Sequence, residues 1–200
     1  MIAGIMTGLL SRSAGMRFVF ALLAAGLLCA QVVADEIDLS FNSDALRIIY
    51  FHDLKDSRLN IDGGWLDHGD NGSAAHISVT LRGFASEGAN PIRSGLGGRL
   101  VYVDGDLSDQ SGYGLSVGGF MSYTLTRYNR ITLTGAAYFA PDVLTGSGLE
   151  KYQDYTFRFG YRFMRDAEIY LGARYVKGDF DAAPSVEFDD GVHIGFNIKF

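Results

Sequence analysis

The sequence predicts an all-β fold, an antiparallel transmembrane β-barrel, and three observations support this prediction. Beyond residue 34, apolar and polar residues alternate with a period of two, which is typical of strands with two different faces. No apolar run in that part approaches the roughly 18 to 20 residues that an α-helix needs to cross a bilayer. The chain ends on Phe200, with apolar residues at two-residue steps before it. Any membrane span is therefore expected to be a strand.

Residues 1–34 are predicted to be a cleaved signal peptide, which leaves residues 35–200 as one barrel domain. Arg12 and Arg17 form a positively charged region just before the apolar segment FVFALLAAGLL, which begins at Phe18. Val32-Val33-Ala34 then offers small or moderate residues to a signal peptidase. We expect cleavage after Ala34.

Two details of this segment leave alternatives open. Cys29 would suit a lipoprotein, although the bulky Leu28 before it disfavours lipid attachment, and Met16 is an alternative start. With cleavage after residue 34 the mature chain has no cysteine, which excludes disulfides and thiolate chemistry.

The charge of the mature chain argues against nucleic acid as a partner. Residues 1–34 hold two of the 17 basic residues and none of the 23 acidic ones, so residues 35–200 carry a net charge of −8. A phosphate backbone is bound by a basic face.

The strands are predicted in order from the alternation. Ile37, Leu39 and Phe41 share one face before the turn signal Asn42-Ser43-Asp44, and the pattern then resumes at Leu46. Further segments follow at residues 75–82, 113–122, 131–139, 151–165, 168–175 and 191–200.

Residues 95–104 are less decisive, because Arg99 has apolar neighbours on both parities. Counting the first segment as its own strand gives ten strands, and merging weak segments gives eight. An even number keeps both termini at one end, so ten is preferred and eight is the alternative.

The connections predict tight turns at one end of the barrel and longer loops at the other, as in outer-membrane barrels. Arg165-Asp166 and Tyr128-Asn129 are the tight turns. The longer loops are residues 67–73, 107–111, 141–150 and 180–187, and residues 86–94 are an exception.

Alternation alone does not separate a membrane barrel from a soluble one such as a lipocalin, and two features favour the membrane. Ile194, Phe196, Ile198 and Phe200 resemble the C-terminal signal that the outer-membrane insertion machinery reads. Aromatic residues also lie toward strand ends, as in interfacial girdles: Tyr123, Tyr128, Tyr138, Phe139, Tyr152, Tyr155, Phe163 and Tyr175. The first and last strands should pair, since an open edge in hydrocarbon is costly.

Short motifs along the mature chain resemble the YfaZ family of Gram-negative outer-membrane proteins. They are Ile37-Asp38-Leu39-Ser40, Asn42-Ser43-Asp44-Ala45-Leu46, Gly64-Trp65-Leu66-Asp67 with Asp70-Asn71-Gly72, Gly95-Leu96-Gly97-Gly98-Arg99 before Tyr102, and Tyr138-Phe139-Ala140-Pro141. The resemblance implies a location in the bacterial outer membrane and no particular activity.

A cluster of charged residues is predicted to face the lumen. Its members are Arg82, Asp154, Arg158, Arg162, Glu168, Arg174, His193 and Lys199. Buried charges require partners, so a charge-paired plug is the preferred interpretation, and a small anion-preferring pore is the alternative.

Catalysis is the third hypothesis. His76 and Ser78 have the spacing of the His-x-Ser pair of lipid A deacylases, but we expect them to face the lumen, with no acid obviously placed to orient His76. The chain is therefore predicted not to be an enzyme, with no catalytic residue.

Residues with oxygen-containing side chains also cluster in two loops. Such clusters can bind a divalent cation, and the alternative interpretation is that they are simply solvated. Asp67, His68, Asp70 and Asn71 are predicted to lie in one loop. A second, acidic surface loop is predicted to hold Asp179, Asp181, Glu187, Asp189 and Asp190. Solvation is preferred, and we expect no metal and no cofactor.

The sequence thus predicts a monomer with a structural or surface-interaction role in the cell envelope. Its expected partners are outer-membrane lipid and lipopolysaccharide, and the barrel-insertion machinery during biogenesis.

Overall fold

A computed structural model describes residues 35–88, 92–106, 110–181 and 184–200 of the chain. The predicted signal peptide lies outside the described residues. Within them, no helix has the length and apolar character needed to cross a membrane.

The described part of the chain is built from strands, with one short 3-10 helix at Asp142–Leu144. The strands are β1 (Asp35–Phe41), β2 (Ala45–Asp53), β3 (Leu59–His68), β4 (Gly72–Phe84), β5 (Arg93–Gly105), β6 (Gln110–Thr124), β7 (Ile131–Ala140), β8 (Thr145–Gly146), β9 (Leu149–Arg162), β10 (Ala167–Phe180) and β11 (Val186–Lys199). Among the described residues ten of these strands form the barrel wall, and the two-residue β8 pairs only with β6.

The sheet closes because the first long strand pairs with the last. β1 and β11 are antiparallel, with Glu36 opposite Lys199 and Phe41 opposite Ile194. The N–H of Asp35 donates to the carbonyl of Phe200 at 2.9 Å, and the N–H of Phe200 donates back at 2.9 Å. The preferred count of ten strands and the expected pairing of the terminal strands are therefore confirmed.

The two faces of the wall differ in polarity. Apolar side chains point outward, so that Ile77 is 63% and Leu96 is 75% exposed. Polar side chains at the alternate positions point into the lumen, where Asp38 and Ser78 are buried. This is the reverse of a soluble barrel, which turns its apolar face inward.

Asp35 and Phe200 lie at one end of the barrel, here called the terminal end. The strand ends at the terminal end are joined through connections 54–58, 85–92, 125–130 and 163–166, and those at the opposite end through connections 42–44, 69–71, 106–109, 141–148 and 181–185. These lengths overlap, so the predicted contrast between short turns and long loops is wrong. The contrast is lost because some strands run further than the sequence pattern predicts. β3 continues to His68 and β4 begins at Gly72, so that only a three-residue turn remains of the predicted loop 67–73.

Outward tyrosines form a row toward the opposite end. Tyr102 pairs with Tyr113 between β5 and β6, and Tyr155 pairs with Tyr175 between β9 and β10. This arrangement fits an interfacial girdle.

Two of the aromatics assigned to the girdles point into the lumen instead. Tyr138 is 5% and Tyr152 is 2% exposed. Each lies on the inward parity of its strand, and proximity to a strand end does not reveal that parity.

Candidate functional site: the lumen

The lumen near the opposite end is filled by apolar side chains, a set called here the apolar layer. Its members are buried and come mainly from strand ends at that side of the barrel. They are Ala45, Leu66, Ala74, Val101, Val103, Ala140, Leu149, Tyr152, Val176, Phe180, Val186 and Phe188. The residue pattern predicted charged side chains in the lumen and gave no indication of this layer.

Next to the apolar layer, Asp154 of β9 joins two other strands across the lumen. Its Oδ2 accepts from Arg47 Nη2 of β2 at 2.9 Å and from Arg99 Nη1 of β5 at 2.7 Å. The guanidinium of Arg99 also lies 3.7 Å from the ring centroid of Tyr138. All three charged residues are buried, and one carboxylate therefore holds two arginines.

A second buried carboxylate, Asp38 of β1, holds the neighbouring strands. Arg158 Nη1 donates to it at 2.6 Å, and the hydroxyl of Tyr170 donates to it at 2.7 Å. Gly195 makes room for this tyrosine, because a Cβ there would collide with the ring of Tyr170. Glycine in a strand at this position thus serves close packing inside a narrow barrel.

Asp189 was expected in an acidic surface loop, and this expectation is wrong. The residue lies within β11 and is 2% exposed. It forms an ion pair with Arg174, whose Nη1 also donates to Ser40 Oγ at 3.0 Å. Asp189 shares the inward parity of His193 in β11, which predicts an inward side chain. The acidic residues Glu187 and Asp190 beside it in the sequence obscured this pattern.

The remaining members of the predicted lumen cluster lie on the inner face but in different surroundings. Arg82 pairs with Asp53 at 2.7 Å, and Lys199 pairs with Glu36 at 3.1 Å across the closing seam. Both pairs are partly exposed, in contrast to the pairs of Asp154.

Three further members make no ion pair within the described residues. Arg162 Nη2 donates to the carbonyl of Asn129 at 3.2 Å, and the carboxylate of Glu168 lies against Gly160. His193 is 1% exposed and stands edge-on to Tyr170, and neither ring nitrogen has a hydrogen-bond partner among the described residues.

His76 and Ser78 face the lumen as expected, but an acid does lie beside them. Asp62 Oδ1 is 3.3 Å from His76 Nε2 and accepts from Ser78 Oγ at 2.9 Å. Ser78 Oγ in turn accepts from Arg99 Nε at 3.1 Å. The serine and the histidine each contact the same carboxylate oxygen, so this group joins the ion pairs of Asp154 into one network.

The comparison with known families agrees with the short motifs. Residues 16–200 match the family model described as YfaZ precursor. The chain belongs to the YfaZ family. No curated protein matched it in sequence. The motifs that suggested this family include three residues that face the lumen of the YfaZ barrel and take part in its polar contacts. They are Asp38, Arg99 and Tyr138.

The YfaZ barrel also contains a cavity of about 330 Å³ in the half of the lumen nearer the terminal end, called here the basic cup. It extends from the pairs of Asp154 to the connection 163–166. Its lining includes basic residues Arg47, Arg82, Arg93, Arg99, Arg158, Arg162, Arg165 and Lys199 and acidic residues Glu36, Asp62, Asp154, Asp166 and Glu168. No member of the apolar layer lines it.

Metal ligation was considered at the two acidic turns of this YfaZ chain. In the described ranges, no group of three or more His, Cys, Asp or Glu residues is placed to hold a metal ion. His68 Nδ1 instead accepts from the backbone N–H groups of Asp70 and Asn71, each at 3.2 Å. The side chain thereby stabilises the turn.

Proposed function

We propose that this protein is a plugged, non-conducting barrel of the bacterial outer membrane with a structural or surface-interaction role in the envelope. The observation that carries the proposal is the filled lumen: an apolar layer next to a network of buried ion pairs. A hydrophobic constriction without water opposes the passage of ions. The ion pairs of Asp154 next to the layer also fill this level of the lumen with side chains that are held in place by their partners.

The location is supported by three features of the wall. The outward face is apolar and ends in aromatic residues, the sheet has no free edge, and the inward face is polar. In hydrocarbon these features satisfy every backbone group while exposing only apolar side chains to lipid.

The surface available for interaction is the acidic rim at the opposite end. Its acidic residues are Asp44, Asp67, Asp70, Asp104, Asp106, Asp142, Glu150, Asp179, Asp181, Glu187 and Asp190, and Lys151 and Lys177 are basic residues of the same rim. With the termini in the periplasm, this rim meets the lipopolysaccharide and its cations.

The proposal excludes catalysis on lipid, because the group that resembles a catalytic pair lies on the wrong side of the wall. His76 is 8% and Ser78 is 1% exposed, and both face the lumen. A lipid-modifying enzyme that draws its substrate from the membrane would need them outward.

The test is single-channel conductance of residues 35–200, refolded and placed in a planar bilayer, with an Arg158→Ala, Arg162→Ala variant alongside. Folding is checked first, by the gel mobility shift that heat produces in a closed barrel. We expect both proteins to be silent. Steady anion-selective steps that change in the variant would overturn the proposal and establish the porin-like alternative.

A further inference from the structure

We propose that the basic cup binds a phosphate-class oxyanion, which enters from the terminal end. The group is either a free phosphate or the headgroup of an anionic lipid. The proposal rests on the proposed function in taking the lumen as closed at the opposite end, so that the cup is a dead-end site and not a conduit.

The first argument is the charge of the lining. Eight basic and five acidic side chains line the cup, in a chain whose residues 35–200 carry a net charge of −8. Two more carboxylates, Asp38 and Asp53, pair with lining arginines. Even with these, the cup has an excess of positive charge where the rest of the chain is acidic.

Second, the arginines at the mouth of the cup lack ion-pair partners among the described residues. Across the described ranges Arg93, Arg162 and Arg165 make no ion pair with a carboxylate. They come from β5, β9 and the connection that follows β9, so different segments of the wall supply them. Glu168 lies opposite Arg162 in the register of β9 and β10 and offsets part of this charge. An anion bound among the remaining guanidinium groups would reduce their mutual repulsion further.

The third argument comes from buried donors inside the cup. Arg47 Nη1 and Arg82 Nε are buried, and neither has a hydrogen-bond partner among the described residues. A buried donor without a partner is costly, and an oxyanion bound against either nitrogen would supply the missing acceptor. The guanidinium group matches the geometry of phosphate oxygens, which supports phosphate-class ligands over spherical anions such as chloride.

The size of the cup is compatible with this ligand. A cavity of about 330 Å³ has room for a phosphate group with part of its hydration shell or a small organic substituent. Its inner boundary is the Asp154 network, so a ligand within it would be shielded from bulk solvent on that side. Such shielding strengthens charge-assisted hydrogen bonds.

The test is equilibrium dialysis of radiolabelled inorganic phosphate against the folded barrel in a zwitterionic detergent. We expect one saturable site, and affinity that falls as sodium chloride is added, because salt screens the mouth of the cup. An Arg93→Gln, Arg165→Gln variant should bind at least about tenfold more weakly, since each lost guanidinium removes charge-assisted contacts.

The matched control is Arg127→Gln, Arg130→Gln. It removes the same charge at the same end of the barrel, from exposed side chains that do not line the cup. We expect its affinity to stay within about twofold of the parent. Equal losses in the two variants would overturn the site, because they would reduce it to general electrostatic attraction, and absence of saturable binding would overturn it too.

Competition identifies the source of the phosphate group. If phosphatidylglycerol in the micelle displaces the label and phosphatidylcholine does not, a lipid headgroup reaches the cup. If neither displaces it, the site takes a free phosphate. If a lipid headgroup reaches the cup, phosphatidylglycerol should displace the label from the parent protein and from the Arg127→Gln, Arg130→Gln control equally. Displacement from only one of them would reject the lipid headgroup as the ligand.

Conductance recorded in phosphate buffer separates the two proposals. Current steps would overturn the non-conducting role whatever the dialysis shows. A silent bilayer together with a barrel that binds no phosphate would overturn the anion site alone.

Discussion

The two halves of the lumen are built by the same strands, on the same inward parity, yet they have opposite chemistry. Along β9, Tyr152 belongs to the apolar layer, Asp154 holds two arginines, and Arg158 lines the basic cup. Only the position along the strand distinguishes them. Parity therefore decides which side chains face inward. It leaves their polarity open, because an inward side chain can be buried among apolar neighbours or paired with an opposite charge.

The outer face shows no such division. Apolar side chains cover it along the length of the barrel, as Leu96, Leu100 and Val117 illustrate. A lipid environment would impose one requirement on that surface. Inside the barrel, by contrast, an apolar core and a set of paired charges are both stable arrangements.

The largest effect is expected where the two halves meet, on replacing Asp154 with alanine. Arg47 and Arg99 would lose their shared carboxylate and remain as buried charges, at a cost of about 3 to 5 kcal/mol in the free energy of unfolding. The measurement is urea unfolding in phospholipid vesicles, followed by the fluorescence of Trp65, the single tryptophan. Asp166→Ala, at the exposed mouth of the cup, is the control and should change stability by less than about 0.5 kcal/mol. Equal losses at the two positions would mean that the network is not buried.

A smaller effect is expected in the apolar layer, from Leu66→Ala. The side chain is 3% exposed, and its removal should cost about 3 kcal/mol through lost burial and a residual cavity. The matched control is Leu46→Ala, the same chemical change at an outward position that is 49% exposed. The same urea titration compares them, and a larger loss at Leu46 would contradict the distinction between the filled lumen and the lipid face.

The smallest effect is expected at the terminal end, from Lys199→Gln. The Lys199 side chain is 41% exposed and its pair with Glu36 is screened by solvent, so the loss should stay below about 1 kcal/mol. Unfolding in vesicles at low and high salt checks this, since salt should remove most of the difference. A loss as large as that of Leu66→Ala would show that the closing seam depends on this pair.

Several parts of the structure were predictable from residue patterns alone. The alternation in β9 predicts Phe157, Phe159 and Tyr161 on one face and Arg158 on the other. In the structure the three aromatic side chains are exposed on the outer face and Arg158 lines the cup. The terminal strand pairing followed from the cost of an open edge in hydrocarbon.

The prediction failed where the inward face is itself apolar. Residues 95–104 were indecisive because Val101 and Val103 belong to the apolar layer while Leu100 and Tyr102 face outward. Where both faces of a strand are apolar, the alternation of polar and apolar residues is lost. The sequence pattern then cannot show which side chains face the lumen. Tyr138 has the same ambiguity, because Ala137 and Phe139 beside it are also apolar. Tyr152, in contrast, shares the parity of Asp154 and was misassigned from its place near a strand end.

The partners of the lumen charges were also beyond the sequence. Asp154 was identified as inward, but Arg47 is 107 residues away along the chain and Arg99 is 55 residues away. Such pairs depend on the height at which each strand crosses the barrel, which is set by register and stagger.

The sequence by itself determined the period of the strands, the closure of the sheet and the face that each clear strand turns outward, because these follow from backbone hydrogen bonding and side-chain polarity. Only the tertiary structure decided that the lumen is apolar at one end and holds a basic cup at the other. That outcome depends on which inward side chains meet at the same height across the barrel, and this is a property of the closed sheet, not of any one strand.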